Sequence, residues 1–99
     1  MAEIVKLKEG CYGYKITKNG FTIVQDHVPG VPGYEPMTKK LATNIAYVVE
    51  KLMDKGEHPA LNTEMIDSFK KGKPADDVIE DELKRRIQEQ KEFELNKTK

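Results

Sequence analysis

The chain predicts an α+β fold: a three-stranded antiparallel meander over residues 4–25 packed on a central helix, then a short helix and a long charged one. Three observations carry this. Apolar residues alternate one by one in the first part of the chain, but recur at three- and four-residue intervals after residue 38. Asn19-Gly20 is the commonest kind of two-residue hairpin turn. Two Pro-Gly turns in immediate succession, Val28-Pro29-Gly30-Val31-Pro32-Gly33, separate the two regimes.

Val5 and Leu7 alternate with Lys6 and Lys8, the pattern of a half-buried strand, and Glu9-Gly10 ends it. Tyr12, Tyr14 and Ile16 form the alternating set of a second strand, and Phe21–Val24 return as a third. With Asn19-Gly20 at the tip, Ile16 falls opposite Ile23, Tyr14 opposite Gln25 and Thr17 opposite Thr22. Tyr14, Ile16 and Ile23 then share the face that meets the core. In the tandem turns, Pro fixes φ at the second position and Gly supplies positive φ at the third. An ordered, exposed loop is expected, with Tyr34 its most exposed aromatic, serving as a connector or as a docking point for a partner.

Thr38 is a fitting N-cap for a helix over 38–55, and Gly56 a fitting terminator. Leu41, Ala42, Ile45, Ala46, Val48, Val49, Leu52 and Met53 make an apolar face wider than one stripe, so this helix should be covered on two sides. Lys39 and Lys40 occupy its first turn, where positive charge opposes the helix dipole. His58-Pro59 forces an extended link. Asn62 then caps a short helix over 63–71, with Leu61 and Ile66 at staple spacing and Met65, Ile66 and Phe69 turned inward. Pro74, Asp76 and Asp77 suit the start of a last helix over 75–94. Glu80, Asp81 and Glu82 stand four residues ahead of Lys84, Arg85 and Arg86, the favourable order for three ion pairs. Its apolar stripe is thin: Ile79, Leu83 and Ile87, then polar Gln90, with Phe93 off to one side. Such a stripe reads as a seam, either laid along the domain or paired with another chain's copy, and the protein divides into a domain of 1–73 and an interaction segment of 74–99. The polar residues 96–99 form a tail.

Composition narrows the function. At 99 residues, 37% hydrophobic and 34% charged, the chain can fold as one domain with little apolar material to spare, and pairing with copies of itself would add stability. Seventeen basic and seventeen acidic residues cancel, without the basic excess of a general nucleic-acid binder. The imbalance is mild, +2 over residues 1–40 and −2 over 75–99. A lone Cys11 forms no intrachain disulfide, and the start, Met1–Lys6, reads as neither a leader nor a membrane span. These features lead to the expectation of a cytoplasmic protein with no membrane contact.

No constellation of residues announces chemistry. Cys11, His27 and His58, even with Asp26 or Glu57, lack the short paired spacings of metal sites. Cys11 and His27 fall on opposite faces of the expected hairpin, which disfavours a nucleophile–base pair. Gly30 and Gly33 follow prolines, which removes amide donors that a phosphate cradle needs. No cofactor, metal or small-molecule substrate is therefore expected. Lys70, Lys71 and Lys73, with Arg85 and Arg86, are the local basic patches on which nucleic-acid binding would have to rest.

The hairpin of Gly13, Tyr14, Asn19 and Gly20, the Pro-Gly segment of 28–33 and the Met37-Thr38 helix start together resemble small proteins encoded by tailed bacteriophages. That resemblance implies either a minor virion or assembly protein, or an early protein that disables a host factor. It implies the host cytoplasm or the virion as the location, and transfers no functional residues. The residues themselves point to a non-catalytic protein–protein interaction module, a homo-oligomer or a subunit of a larger assembly. Its contacts would be Ile79, Leu83, Ile87 and Phe93, with Tyr34 as a second point. The alternatives are a regulator that inhibits a host protein and a nucleic-acid binder using the lysine and arginine patches.

Overall fold

The computed structural model describes residues 2–97, with side chains described through residue 95. Three strands, β1 (Ala2–Lys8), β2 (Cys11–Lys18) and β3 (Phe21–Gln25), form one antiparallel sheet in the order β1-β2-β3. Three helices follow: α1 (Lys39–Asp54), α2 (Thr63–Lys70) and α3 (Ala75–Lys97). The fold is α+β. Residues 98–99 of the polar tail, and Met1 at the start, lie outside the described residues.

The hairpin register follows from its turn. Asn19 and Gly20 both take positive φ, 53° and 81°, as a two-residue turn that matches strand twist requires. Ile16 pairs with Ile23, Tyr14 with Gln25 and Thr17 with Thr22. Tyr14 and Ile16 are buried beneath α1, while Lys15 and Val24 face outward. β3 stops at Gln25, so His27 does not continue opposite Tyr12. Instead the Tyr12 amide donates to the Met37 carbonyl at 2.9 Å, and Met37 itself is fully buried. Gly13 must lack a side chain, because a Cβ there would stand 2.5 Å from the Gln25 carbonyl oxygen as the chain leaves the sheet.

The tandem turn is anchored rather than loose. Val28 is fully buried, and its amide donates to the Glu35 carbonyl at 2.8 Å, closing the base of the loop. Tyr34 is exposed, with its ring 5.1 Å from that of His27. Gly30, at φ 79°, runs so close to the linker before α2 that a Cβ would meet the Leu61 carbonyl oxygen at 2.6 Å.

Thr38 caps α1 by accepting the Leu41 amide at 3.1 Å, and Asn62 caps α2 by accepting the Met65 amide at 2.9 Å. Ala42, Ile45, Ala46, Val48, Val49 and Leu52 of α1 are all buried. The sheet covers one side of that face, and α2 and α3 cover the other. Met65, Ile66 and Phe69 bring α2 into the same core, and Val78 and Ile79 bring the start of α3.

A buried carboxylate fastens α3. Glu82 is 5% exposed. Its oxygens accept Arg85 Nε at 2.9 Å and Nη2 at 2.7 Å, Arg86 Nε at 2.7 Å and Asn62 Nδ2 at 3.2 Å. Arg86 reaches on to the carbonyls of His58 at 3.0 Å and Ala60 at 3.2 Å. One carboxylate thus joins α3, the cap of α2 and the linker between α1 and α2. The sequence expectation of an Asp81–Arg85 pair is corrected: Arg85 turns to Glu82 and Glu89, and Asp81 to Lys73. Burial pushes the Glu82 carboxyl up, but the hydrogen bonds from Arg85, Arg86 and Asn62 outweigh it and hold the group below the usual range.

Four outcomes are expected in urea denaturation. Gly30→Ala should cost about 2 kcal/mol or more, since it adds a steric clash to an unfavourable φ. Gly33→Ala, at φ 80° with open space around it, should cost only about 1 kcal/mol. Glu82→Gln should cost about 2 kcal/mol at neutral pH. Because the folded pKa is lowered, that difference should be complete above the ordinary value of 4.5 and shrink as the pH falls below it. Glu80→Gln, on an exposed pair with Lys84, should stay within about 0.5 kcal/mol.

Candidate interaction surface

The seam expected on the last helix divides in two. Ile79 is only 4% exposed and belongs to the domain core, so its expected role as a partner contact is corrected. Its neighbour Val78, absent from the predicted stripe, is buried beside it. Leu83 is half-buried against the same core. The first turns of α3 are therefore part of the domain, and residue 74 marks no break in packing. Beyond Arg86 the helix leaves the body: Ile87, Phe93 and Leu95 are 57%, 63% and 65% exposed.

This projection sets the dimensions of the molecule. Its extents are 54 × 32 × 24 Å and its radius of gyration 14.9 Å. A compact chain of this length would measure about 13 Å. Leu83 sits between two clefts, one of about 450 Å³ beside Tyr47, Lys51 and Asp76, the other of about 530 Å³ beside Arg86, Ile87 and Gln90. The outer part of the helix is supported along its length by Gln88→Glu92 and Gln90→Glu94 hydrogen bonds, each of 3.3 Å. Its surface mixes Lys84 and Lys91 with Glu89, Glu92 and Glu94, so it presents no field of one sign.

The basic patches are occupied within the chain. Lys70 pairs with Glu35 at 2.8 Å, Lys73 with Asp81, Arg85 with Glu82 and Glu89, and Arg86 with Glu82 at 2.7 Å. The Lys73 hydrogen bond holds the Asp81 carboxyl below its ordinary range. Lys71 has no ion pair among the described residues. Of the patches on which nucleic-acid binding would have to rest, Lys70, Lys73, Arg85 and Arg86 are thus ion-paired within the chain. The sequence already contained the reason, because Arg85 and Arg86 stand three and four residues after Glu82, within helical reach.

Tyr34 is 66% exposed, as expected, but it is not free: its hydroxyl donates to the Asp26 carbonyl at 3.4 Å. His27 Nδ1 lies 2.7 Å from Asp26 Oδ1. Among the described residues, no three His, Cys, Asp or Glu side chains are grouped as a metal would require, and no helix is long and apolar enough to cross a membrane. The outer face of the sheet is a further partly apolar surface. Val5, Leu7 and Val24 are exposed there, interrupted by Glu3, Lys15, Thr17 and Thr22.

No curated protein and no solved structure matches the chain. Residues 3–68 match a family described as a domain of unknown function, DUF4907. The matched span takes in β1 to β3, α1 and most of α2, and stops before α3. Nothing in that match bears on the expected resemblance to tailed-phage proteins. Two thirds of the protein thus fall within one family, and the chain belongs to the DUF4907 family.

Proposed function

We propose that this protein is a non-catalytic protein–protein interaction module, working as a homo-oligomer or as a subunit of a larger assembly through the projecting half of α3. One observation carries the reading: Ile87, Phe93 and Leu95 stand more than half exposed on a helix that has left its own core. A helical segment of about three turns gains little from propensity alone and is stabilised mainly by packing. A second surface on which those side chains are covered would supply that packing. Leu83, with clefts on both sides, gives the contact a fixed edge against the domain. Tyr34, held by Asp26, is the accessory contact.

The intrachain pairing of Lys70, Lys73, Arg85 and Arg86 weighs against the nucleic-acid alternative, since each phosphate contact would break an existing ion pair. A regulator of a host protein would use the same helix and differ only in its partner.

Sedimentation velocity and native mass spectrometry of the wild type and of an Ile87→Glu/Phe93→Glu variant test the reading. The wild type should self-associate, or retain a protein partner from its native lysate. The variant should lose that association by at least about tenfold while its circular dichroism is unchanged. A wild type that remains a free monomer at high concentration and retains nothing would end the proposal, as would a variant that associates equally well.

A further inference from the structure

A cleft of about 430 Å³ lies between the inner face of the sheet, α1 and two proline-bearing loops. Ile23, Val49, Pro29, Pro59 and Leu61 give it apolar walls, and no Asp, Glu, Lys or Arg lines it. Its size falls in the range of small-molecule sites, about 300–1,000 Å³. The sequence holds no motif for such a site, because its walls come from four separate segments.

Tyr14 also lines the cleft. It is only 3% exposed, and its hydroxyl makes no hydrogen bond among the described residues. The hydroxyl itself is not fully buried: it keeps accessible surface and is open to a partner in the cleft that Tyr14 lines. Burial raises the Tyr14 pKa to about 12, so the group remains an O–H donor at any physiological pH. His58, at the rim, accepts the Ala60 amide on Nδ1 at 3.1 Å, which leaves the proton of the neutral ring on Nε2 as a second donor.

The frame is already built. Gly30 runs against Leu61, and the Thr63 hydroxyl donates to the Gly30 carbonyl at 3.4 Å. Arg86 holds the His58 and Ala60 carbonyls from behind. Neither loop needs to move for the cleft to exist.

We propose that this cleft binds a small uncharged molecule with an apolar body and one carbonyl-type acceptor, which takes the hydrogen bond of the Tyr14 hydroxyl. The uncharged lining sets the ligand's neutrality, the walls set its apolar body, and the unpartnered donor sets its acceptor. The site is separate from the helix surface, and neither proposal depends on the other.

Acetophenone is a suitable probe, with ethylbenzene as its counterpart lacking the oxygen and benzoate as its charged counterpart. Amide proton–nitrogen correlation spectra of the full chain should show saturating shifts at Tyr14, Gly30 and Leu61 with acetophenone. Ethylbenzene should bind several-fold more weakly and benzoate should give no saturating shift. Tyr14→Phe keeps the ring and should lower acetophenone affinity up to about tenfold, to the ethylbenzene level. Ala60→Trp, at an exposed position on the rim, should fill the cleft and remove the shifts while the rest of the spectrum is retained. The proposal is overturned by the absence of saturation with acetophenone, by benzoate binding as well as acetophenone, or by either variant binding like the wild type.

Discussion

Every layer of this fold is packed on α1. Six of its sixteen residues are buried, and they face in more than one direction, so a sheet alone cannot cover them. The meander takes one flank through Tyr14 and Ile16, and α2 and α3 are drawn to the other through Ile66, Phe69, Val78 and Ile79. A chain with so little apolar material can sustain one such centre. That economy explains why α3 is docked only at its start: the core is complete by Leu83, and nothing in the domain is left to cover Ile87 or Phe93.

The charges follow the same economy. Equal numbers of acids and bases do not simply cancel in solution; many are committed to named partners. The Glu82 cluster is the clearest case, with two guanidinium groups and a cap amide on one carboxylate. A buried anion satisfied on both oxygens contributes less to net stability than to geometry, because desolvation offsets much of the attraction. Its effect here is to fix the angle at which α3 leaves the body, and so the direction in which the exposed turns point.

Much of this was legible in the residues. The hairpin register followed from Asn19-Gly20 and the alternation around it, and both helix caps from Thr38 and Asn62 ahead of their apolar runs. These are local signals, complete within a few residues. What escaped was nonlocal. The carbonyl partner of Tyr12 comes from Met37, beyond a turn that read as a connector or a docking point and not as a neighbour of the sheet. The burial of Val78 and Ile79 depends on how much of α1 remains uncovered, which no helical wheel of α3 contains. The cleft at Tyr14 depends on two loops, about thirty residues apart, meeting at Gly30 and Leu61.

The closed base of the tandem turn has an evolutionary consequence. Since the Val28 amide and the Glu35 carbonyl tie the loop at its root, the crown between Pro32 and Gly33 is insulated from the sheet and from α1. Each doubling of length there would cost only about 0.6 kcal/mol of closure entropy. The crown is therefore a natural graft point, where an epitope or a whole inserted module can be carried without disturbing the scaffold beneath it.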